Sequence, residues 1–321
     1  MILYTHMKTT ITFLVSIFFG FALISYNTSW AKAQLKTAAD RDLRQNSFQR
    51  GEYIRYGIYY IGRMAEAEIS VDAKEYVLPH MPNRKAMKVD VKGRTTGVAT
   101  AYRVDDLWRS YLDEKSVNSL RFYRALEENK YRRFEQIDVY PSQMLAKMTF
   151  EQFSVDRNDK VNYGAGDKMG VTQATKDNPV YIQLLDLFTQ DLVSGYYYLR
   201  TLDYANMQPG QIITIPAYFE NKYYSFQVRF DGKEATPITI RTPSGSGKVM
   251  AYKFTPVMTG LTAEEGSTDE SFLFRGAEPI HYWISADENK IPLRVETKIF
   301  LGKLTLELED FRNLRHPISF Q

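Results

Sequence analysis

The sequence contains no cysteine. Disulfides, thiolate nucleophiles and cysteine-ligated metals are therefore excluded. Histidine is scarce as well, with four residues in 321. His80, His281 and His316 stand far apart and form no i, i+4 pair, so no zinc signature is present. Charge of one sign is lacking too. The 41 Lys and Arg residues nearly balance the 38 Asp and Glu residues, a balance that does not call for nucleic acid. Long apolar runs are absent except at residues 11–25. That run is shorter than the roughly 20 residues needed to cross a bilayer. It follows Met7-Lys8, a more natural start than Met1, and leads to Ala31-Lys32-Ala33, a small-x-small cleavage site. Residues 1–33 therefore read as a secretory signal peptide. The cleaved chain is expected in the periplasm, with no transmembrane span and no cysteine to carry a lipid.

What is abundant is aromatic: 23 Tyr and 19 Phe. This suits strands and also ligand surfaces. Residues 34–47 are polar and read as a flexible leader. From Phe48 the pattern has a period of two. One strand ends at Gly62-Arg63. Ala65, Ala67, Ile69 and Val71 then alternate with Glu66, Glu68, Ser70 and Asp72, as in a half-buried antiparallel strand. Met87, Val89 and Val91 continue the pattern in a third strand. Residues 95–106 fit a short helix, and strands follow to about residue 153, with a hairpin turn at Glu128-Asn129. Residues 154–177 have no period and read as a long loop dividing two halves of the fold. Later, Asp231-Gly232 reads as a hairpin turn. Residues 243–247 and Gly302 read as further turns, and residues 312–321 as a tail.

One stretch, 178–204, has a helical period. Asn178 suits an N-cap and Pro179 the first helical position. Val180, Leu184, Leu185, Phe188, Leu192 and Leu199 approximate one buried face. The expected fold is mainly β (α+β). A curved antiparallel sheet or half-open β-barrel, in a single domain over residues 48–311, wraps one long amphipathic helix over residues 179–202.

Three blocks carry a family likeness. The first is Phe48-x-x-Gly51-Glu52-x-x-x-Tyr56, followed by the Ala-rich second strand. The second is Gln190-Asp191-x-x-Ser194 with Tyr198 and Arg200. The third is Trp283-x-x-x-Asp287-x-x-x-Ile291-Pro292, with Val295-Glu296 and then Gly302. The hairpin from Thr242-Pro243 to Pro256 adds to them, and the insert at residues 267–279 departs from the pattern. In this order the blocks resemble the bacterial envelope family known as domain of unknown function 3108. The resemblance implies a protein exported in a Gram-negative-type bacterium, with a curved antiparallel sheet around a helix. It supplies no catalytic residue.

Candidate chemistry is sparse. Pro243-Ser-Gly-Ser-Gly-Lys248 resembles a phosphate loop, but Thr242 stands where that motif has glycine and Val249 where it has Ser or Thr. It is not a nucleophile elbow either. Glu52, Asp106, Asp191 and Asp287 would do acid–base work on a glycan if two met in a cleft. Otherwise they have structural roles: Asp287 caps a polar turn, Asp191 with Ser194 ties the helix to the sheet, and Arg200 pairs with Glu52 or Asp191. Tyr56, Tyr198 and Trp283 read as core or pocket aromatics. Arg121, Arg124, Lys130, Arg132 and Arg133 read as a solvated sheet edge. No cofactor is implied. The expectation is a non-catalytic envelope protein that holds a lipid or other apolar ligand, or an envelope protein partner, on its concave face. The alternatives are a glycan hydrolase with a carboxylate pair, and a scaffold or interaction module at the outer membrane.

Overall fold

The computed structural model describes residues 47–155, 172–184, 186, 188–219, 222–234, 236–257, 279–299 and 302–321. The expected signal peptide, the leader before Ser47 and most of the 267–279 insert lie outside the described residues. So does the middle of the 154–177 loop.

The first half of the chain is a run of strands joined by short turns: β1 (Tyr53–Tyr59), β2 (Arg63–Leu78), β3 (Met81–Thr95), β4 (Asp105–Asp113), β5 (Ser119–Glu128), β6 (Tyr131–Tyr140) and β7 (Leu145–Ser154). Between β3 and β4 a single 3-10 turn, Gly97–Ala101, stands where the short helix is expected. Asn129 closes the β5–β6 hairpin at positive φ, as the sequence predicts. Two short strands, β8 (Thr172–Ala174) and β9 (Val180–Gln183), both pair with β7. The helix α1 (Leu192–Thr201) follows. The remaining strands are β10 (Ile212–Phe219), β11 (Lys222–Lys233), β12 (Ile238–Thr242), β13 (Gly245–Val249), β14 (Ala251–Pro256), β15 (His281–Ser285), β16 (Pro292–Ile299) and β17 (Gly302–Arg312).

Among the described residues fifteen strands form one antiparallel sheet, ordered β10-β11-β14-β15-β16-β17-β1-β2-β3-β4-β5-β6-β7-β8, with β9 beside β8 on β7. The β17–β1 pairing joins the end of the domain to its start. The sheet is not closed, but it curls. Tyr218 of β10, at one end of the order, lies 2.9 Å from Ser119 of β5 near the other, hydroxyl to hydroxyl. The segment between β9 and α1 crosses the opening. Leu184 N donates to Met144 O next to β7, while Gln190 bonds Pro216 and Tyr218 of β10. The main hydrophobic core runs from Phe48 to Ile318 and includes residues of α1, and a small second cluster joins Leu78, Ala86 and Leu120.

The long helix is the main correction. Only Leu192–Thr201 is helical, and Val180–Gln183 is a strand. Ile182 is buried while Tyr181 and Gln183 are exposed, which is a strand's alternation. Val, Tyr and Ile also favour that state. Asp186 then makes a turn, accepting from Phe188 N and giving its carbonyl to the Thr189 hydroxyl. The apolar spacing that looked helical spans a strand, a turn and a helix.

Three other expectations change. Asp231-Gly232 is not a hairpin: β11 runs through it, with a bulge between Phe230 and Gly232 and Gly232 at φ +108°. The turn after β12 is only Pro243-Ser244, and Gly245–Val249 is already β13. The arginine-rich β5–β6 hairpin is no edge, because both strands are interior to the sheet. The last residues also pack: Ile318 is buried, and Phe320 lies against Gly245 and Gly247, where a Cβ would stand 2.8 Å from its ring.

Candidate functional site

The family-like polar residues gather on and around α1. Asp191 is its N-cap, accepting from Val193 N and Ser194 N at 2.8 Å each, while the Ser194 hydroxyl accepts from Asp191 N at 2.7 Å. This reciprocal capping box explains why the helix starts here and not at Asn178. The Ser110 hydroxyl of β4 donates to the other Asp191 oxygen, tying the cap to the sheet. Burial pushes the Asp191 carboxyl up, and Ser110, Ser119 and the two amides counteract that push.

At the other end of the helix, Arg200 is wholly buried and makes a bidentate pair with Glu52 at 2.6 and 2.8 Å. Its Nε donates to Asn289 O and its Nη2 to Ser47 O. The guanidinium also lies 5.1 to 5.6 Å from the ring centroids of Phe48, Tyr196 and Tyr197. Burial opposes its charge, and the Glu52 carboxylate more than offsets that, so Arg200 stays protonated. The Tyr197 hydroxyl donates to Glu52, and burial followed by the Glu52 charge pushes that phenol well up. Tyr56 lies fully buried on β1, its phenol pushed up first by burial and then by Tyr196. Tyr198 is only partly buried, at the edge of the core.

The other predicted residues are elsewhere. Asp106 is buried on β4 and accepts from Glu127 N. Burial, then the Glu128 charge, pushes its carboxyl well up. Asp287 caps the turn after β15, accepting from the Ser285 hydroxyl, Asn289 N and Lys290 N. Trp283 is partly buried and donates to Glu234, with Lys253 Nζ 5.5 Å from its ring. Thus the four candidate carboxylates have no hydrogen-bond partner in common, and Glu52, Asp106 and Asp191 are buried to within 1%. The structure joins Glu52, Tyr56 and Arg200 in one network around α1. It puts Asp191 and Ser194 at the far end of the helix, places Asp287 one step away in the turn that Arg200 reaches through Asn289 O, and leaves Asp106 and Trp283 apart.

Sequence reasoning missed a second buried group. Arg124 on β5 and Arg133 on β6 converge on one oxygen of Glu135, with Arg124 Nη2 at 2.9 Å and Arg133 Nε at 3.0 Å. The two cations hold the Glu135 carboxyl below its usual range although burial opposes this. The cross-strand pair Arg124↔Glu135 would have been readable once the Glu128-Asn129 turn fixed the register. Ser110 and Ser119 were also missed, since single serines in strands carry no signal.

Among the described residues no group of three or more His, Asp or Glu side chains is placed to hold a metal ion. No helix there is long and apolar enough to cross a membrane. Among the described residues, surface cavities of about 260, 690 and 450 Å³ lie around the β12–β13 hairpin and the C-terminal residues. The chemistry available at α1 is hydrogen bonding and charge pairing that lock a helix to strands.

No curated protein matches the chain. Among solved structures it is similar to a β-barrel-like protein of domain of unknown function DUF1849 from Brucella abortus, with 9% identity and a TM-score of 0.41, over 83% of this chain and 99% of that one. It is also similar to a protein from Parabacteroides distasonis described as a "putative lipoprotein", with 11% identity and a TM-score of 0.30, over the same shares of the two chains. A family model matches residues 55–309, from β1 to β17, and the chain belongs to that family, described as protein of unknown function DUF3108.

Proposed function

We propose that the protein is a non-catalytic component of the bacterial cell envelope, exported to the periplasm, where it serves as a rigid scaffold that meets a protein partner. The observation that carries this reading is the occupancy of the sheet's concave side by the chain's own helix. Leu192, Val193, Ser194, Gly195, Tyr196, Tyr197 and Arg200 are all buried. A carrier of apolar ligands needs a concave apolar space, and here Phe48, Tyr56 and the α1 side chains pack into it. A hydrolase needs two carboxylates facing one cleft, and the four candidates each have separate partners. Docking through the basic hairpin is weakened because Arg124 and Arg133 are spent on Glu135.

The test is native mass spectrometry, with lipid extraction, of protein purified from its own periplasm. The expected species are the chain alone or the chain with another polypeptide, free of lipid. A stoichiometric lipid or other apolar molecule would overturn the scaffold reading in favour of a carrier.

A further inference from the structure

The β12–β13 hairpin stands apart from the large sheet as a two-stranded unit. It packs over β16 and β17, and Ser244 at its tip donates to Asp310. Thr242 and Gly245 flank its two-residue turn as partners. In an antiparallel ladder, hydrogen-bonded and non-hydrogen-bonded pairs alternate. Counting from the turn, Thr242↔Gly245 and Ile240↔Gly247 are bonded pairs, and Arg241↔Ser246 and Thr239↔Lys248 are not. The backbone N–H and C=O groups of Thr239 and Arg241 therefore point away from β13, and those of Ser246 and Lys248 point away from β12.

The chain itself shows how the β13 edge is used. Gln321 N donates to Lys248 O, and Phe320 lies across Gly245 and Gly247. One main-chain hydrogen bond from the C-terminal residues thus meets the outward edge of β13. Among the described residues no strand other than β13 is hydrogen-bonded to β12.

That edge borders the cavity of about 260 Å³, lined by Thr239, Ile240, Arg241, Tyr59, Arg294 and Glu309, among others. Glu309 is already bound by Arg63, at 2.7 and 2.8 Å. Arg294 Nη2 stands 3.5 Å from Glu307, which lines the same cavity, and the Arg294 side chain is 30% exposed. Arg241 is exposed and has no ion-pair partner among the described residues. The cleft thus offers two backbone donors, two backbone acceptors and two guanidinium groups.

We infer that the β12 edge is a docking site for an extended, acidic segment of a partner protein, which adds as a strand to Thr239 and Arg241 and sets its carboxylates against Arg241 and Arg294. Main-chain bonds supply the attachment in such strand addition, and the side chains of the groove supply the selectivity. The inference rests on reading the protein as a scaffold that meets a protein partner, and it names the chemistry of that partner.

Three capped heptapeptides test it on the isotope-labelled full chain by NMR and amide exchange. One alternates valine with aspartate and glutamate. The second has lysine in place of the acids. The third is the acidic peptide with alternate amides N-methylated. With the acidic peptide at about ten times its Kd, exchange of the Thr239 and Arg241 amides should slow about tenfold. The lysine and N-methylated peptides should leave it unchanged. Arg241→Gln should weaken binding several-fold. Thr239→Pro should abolish it while leaving the β12–β13 pairing intact, because the proline removes only an outward N–H. Slow exchange of both amides in the free protein, no response to the acidic peptide at millimolar concentration, or equal binding of the lysine peptide would each overturn the proposal. A lipid found inside the sheet would overturn the scaffold reading and leave these exchange rates unaffected, so the two failures are distinguishable.

Discussion

Arg200 joins three parts of the chain that are remote in sequence. Its guanidinium binds Glu52 before β1, Ser47 at the start of the described chain, and Asn289 in the turn after β15. A buried pair of this kind is weak evidence for net stability, since both charges lose their hydration. Removing one partner is another matter, because the remaining charge is stranded. Arg200→Met should therefore cost about 3 to 5 kcal/mol in urea unfolding. Replacing both residues, Glu52→Leu with Arg200→Met, should recover much of that loss. Asp106 behaves in the opposite sense to a paired carboxylate. Its folded pKa is raised by burial and by Glu128. The stability tied to its proton is present below the unfolded pKa of about 3.9 and is lost as pH rises through the folded value. Asp106→Asn should accordingly gain on the wild type as pH rises, measured as the difference in unfolding free energy between pH 4 and pH 8. Parallel pH curves for the two proteins would refute the assignment.

At the scale of elements, α1 and β9 show how a correct pattern can be assigned to the wrong element. Apolar residues at Val180, Leu184 and Phe188 satisfy a helical spacing, but Val180-Tyr181-Ile182 equally satisfies a strand. Local sequence does not choose between them when β7 offers a free edge nearby. The deciding local signal was Asp191 followed three residues later by Ser194, which is a capping box. Two substitutions separate the alternatives. Asp191→Ala should destabilise the protein by about 1 to 2 kcal/mol through the lost cap, and more if Ser110 is left without an acceptor. Asn178→Ala, at the cap expected from sequence, should fall within about 0.5 kcal/mol of wild type because Asn178 is exposed. Chemical denaturation of both variants checks this. The Asp231-Gly232 pair carries a related lesson. Glycine at positive φ serves a bulge as readily as a turn, and the pairing of β11 with both β10 and β14 selected the bulge.

At the scale of the whole molecule, the outer face of the sheet carries a set of carboxylates held below their usual range. Glu309 is held by Arg63 and Tyr59, Glu66 by Arg63 and Arg94 against the effect of burial, and Asp310 by Ser244 and Arg312 against burial. Groups with depressed folded pKa contribute stability above the unfolded pKa and lose it as pH falls through the folded value. Asp106 and Asp191 act in the other direction, but they are few. The urea midpoint should therefore fall as pH is lowered from 5 towards 3. Glu309→Gln should flatten part of that fall, and thermal or urea unfolding over this range checks it.

The sequence by itself determined the class of the fold, because period two is written into nearly every segment from Phe48 to β17 and depends only on which side chains face water. It also determined the β5–β6 turn and the family, through residues whose backbone or capping roles are local. Even the Glu52–Arg200 pairing was legible as one of two options, since a charged residue on a buried helix face needs a partner. Tertiary structure decided the rest. It placed β5 and β6 in the interior of the sheet, so that Arg124 and Arg133 became partners of the buried Glu135 and not part of a solvated fringe. It set the extent of the helix around which the sheet curls, where β7 supplied partners to residues 180–183 that no local propensity could announce. Which backbone groups are left unpaired, as on β12, depends on strands contributed by distant parts of the chain.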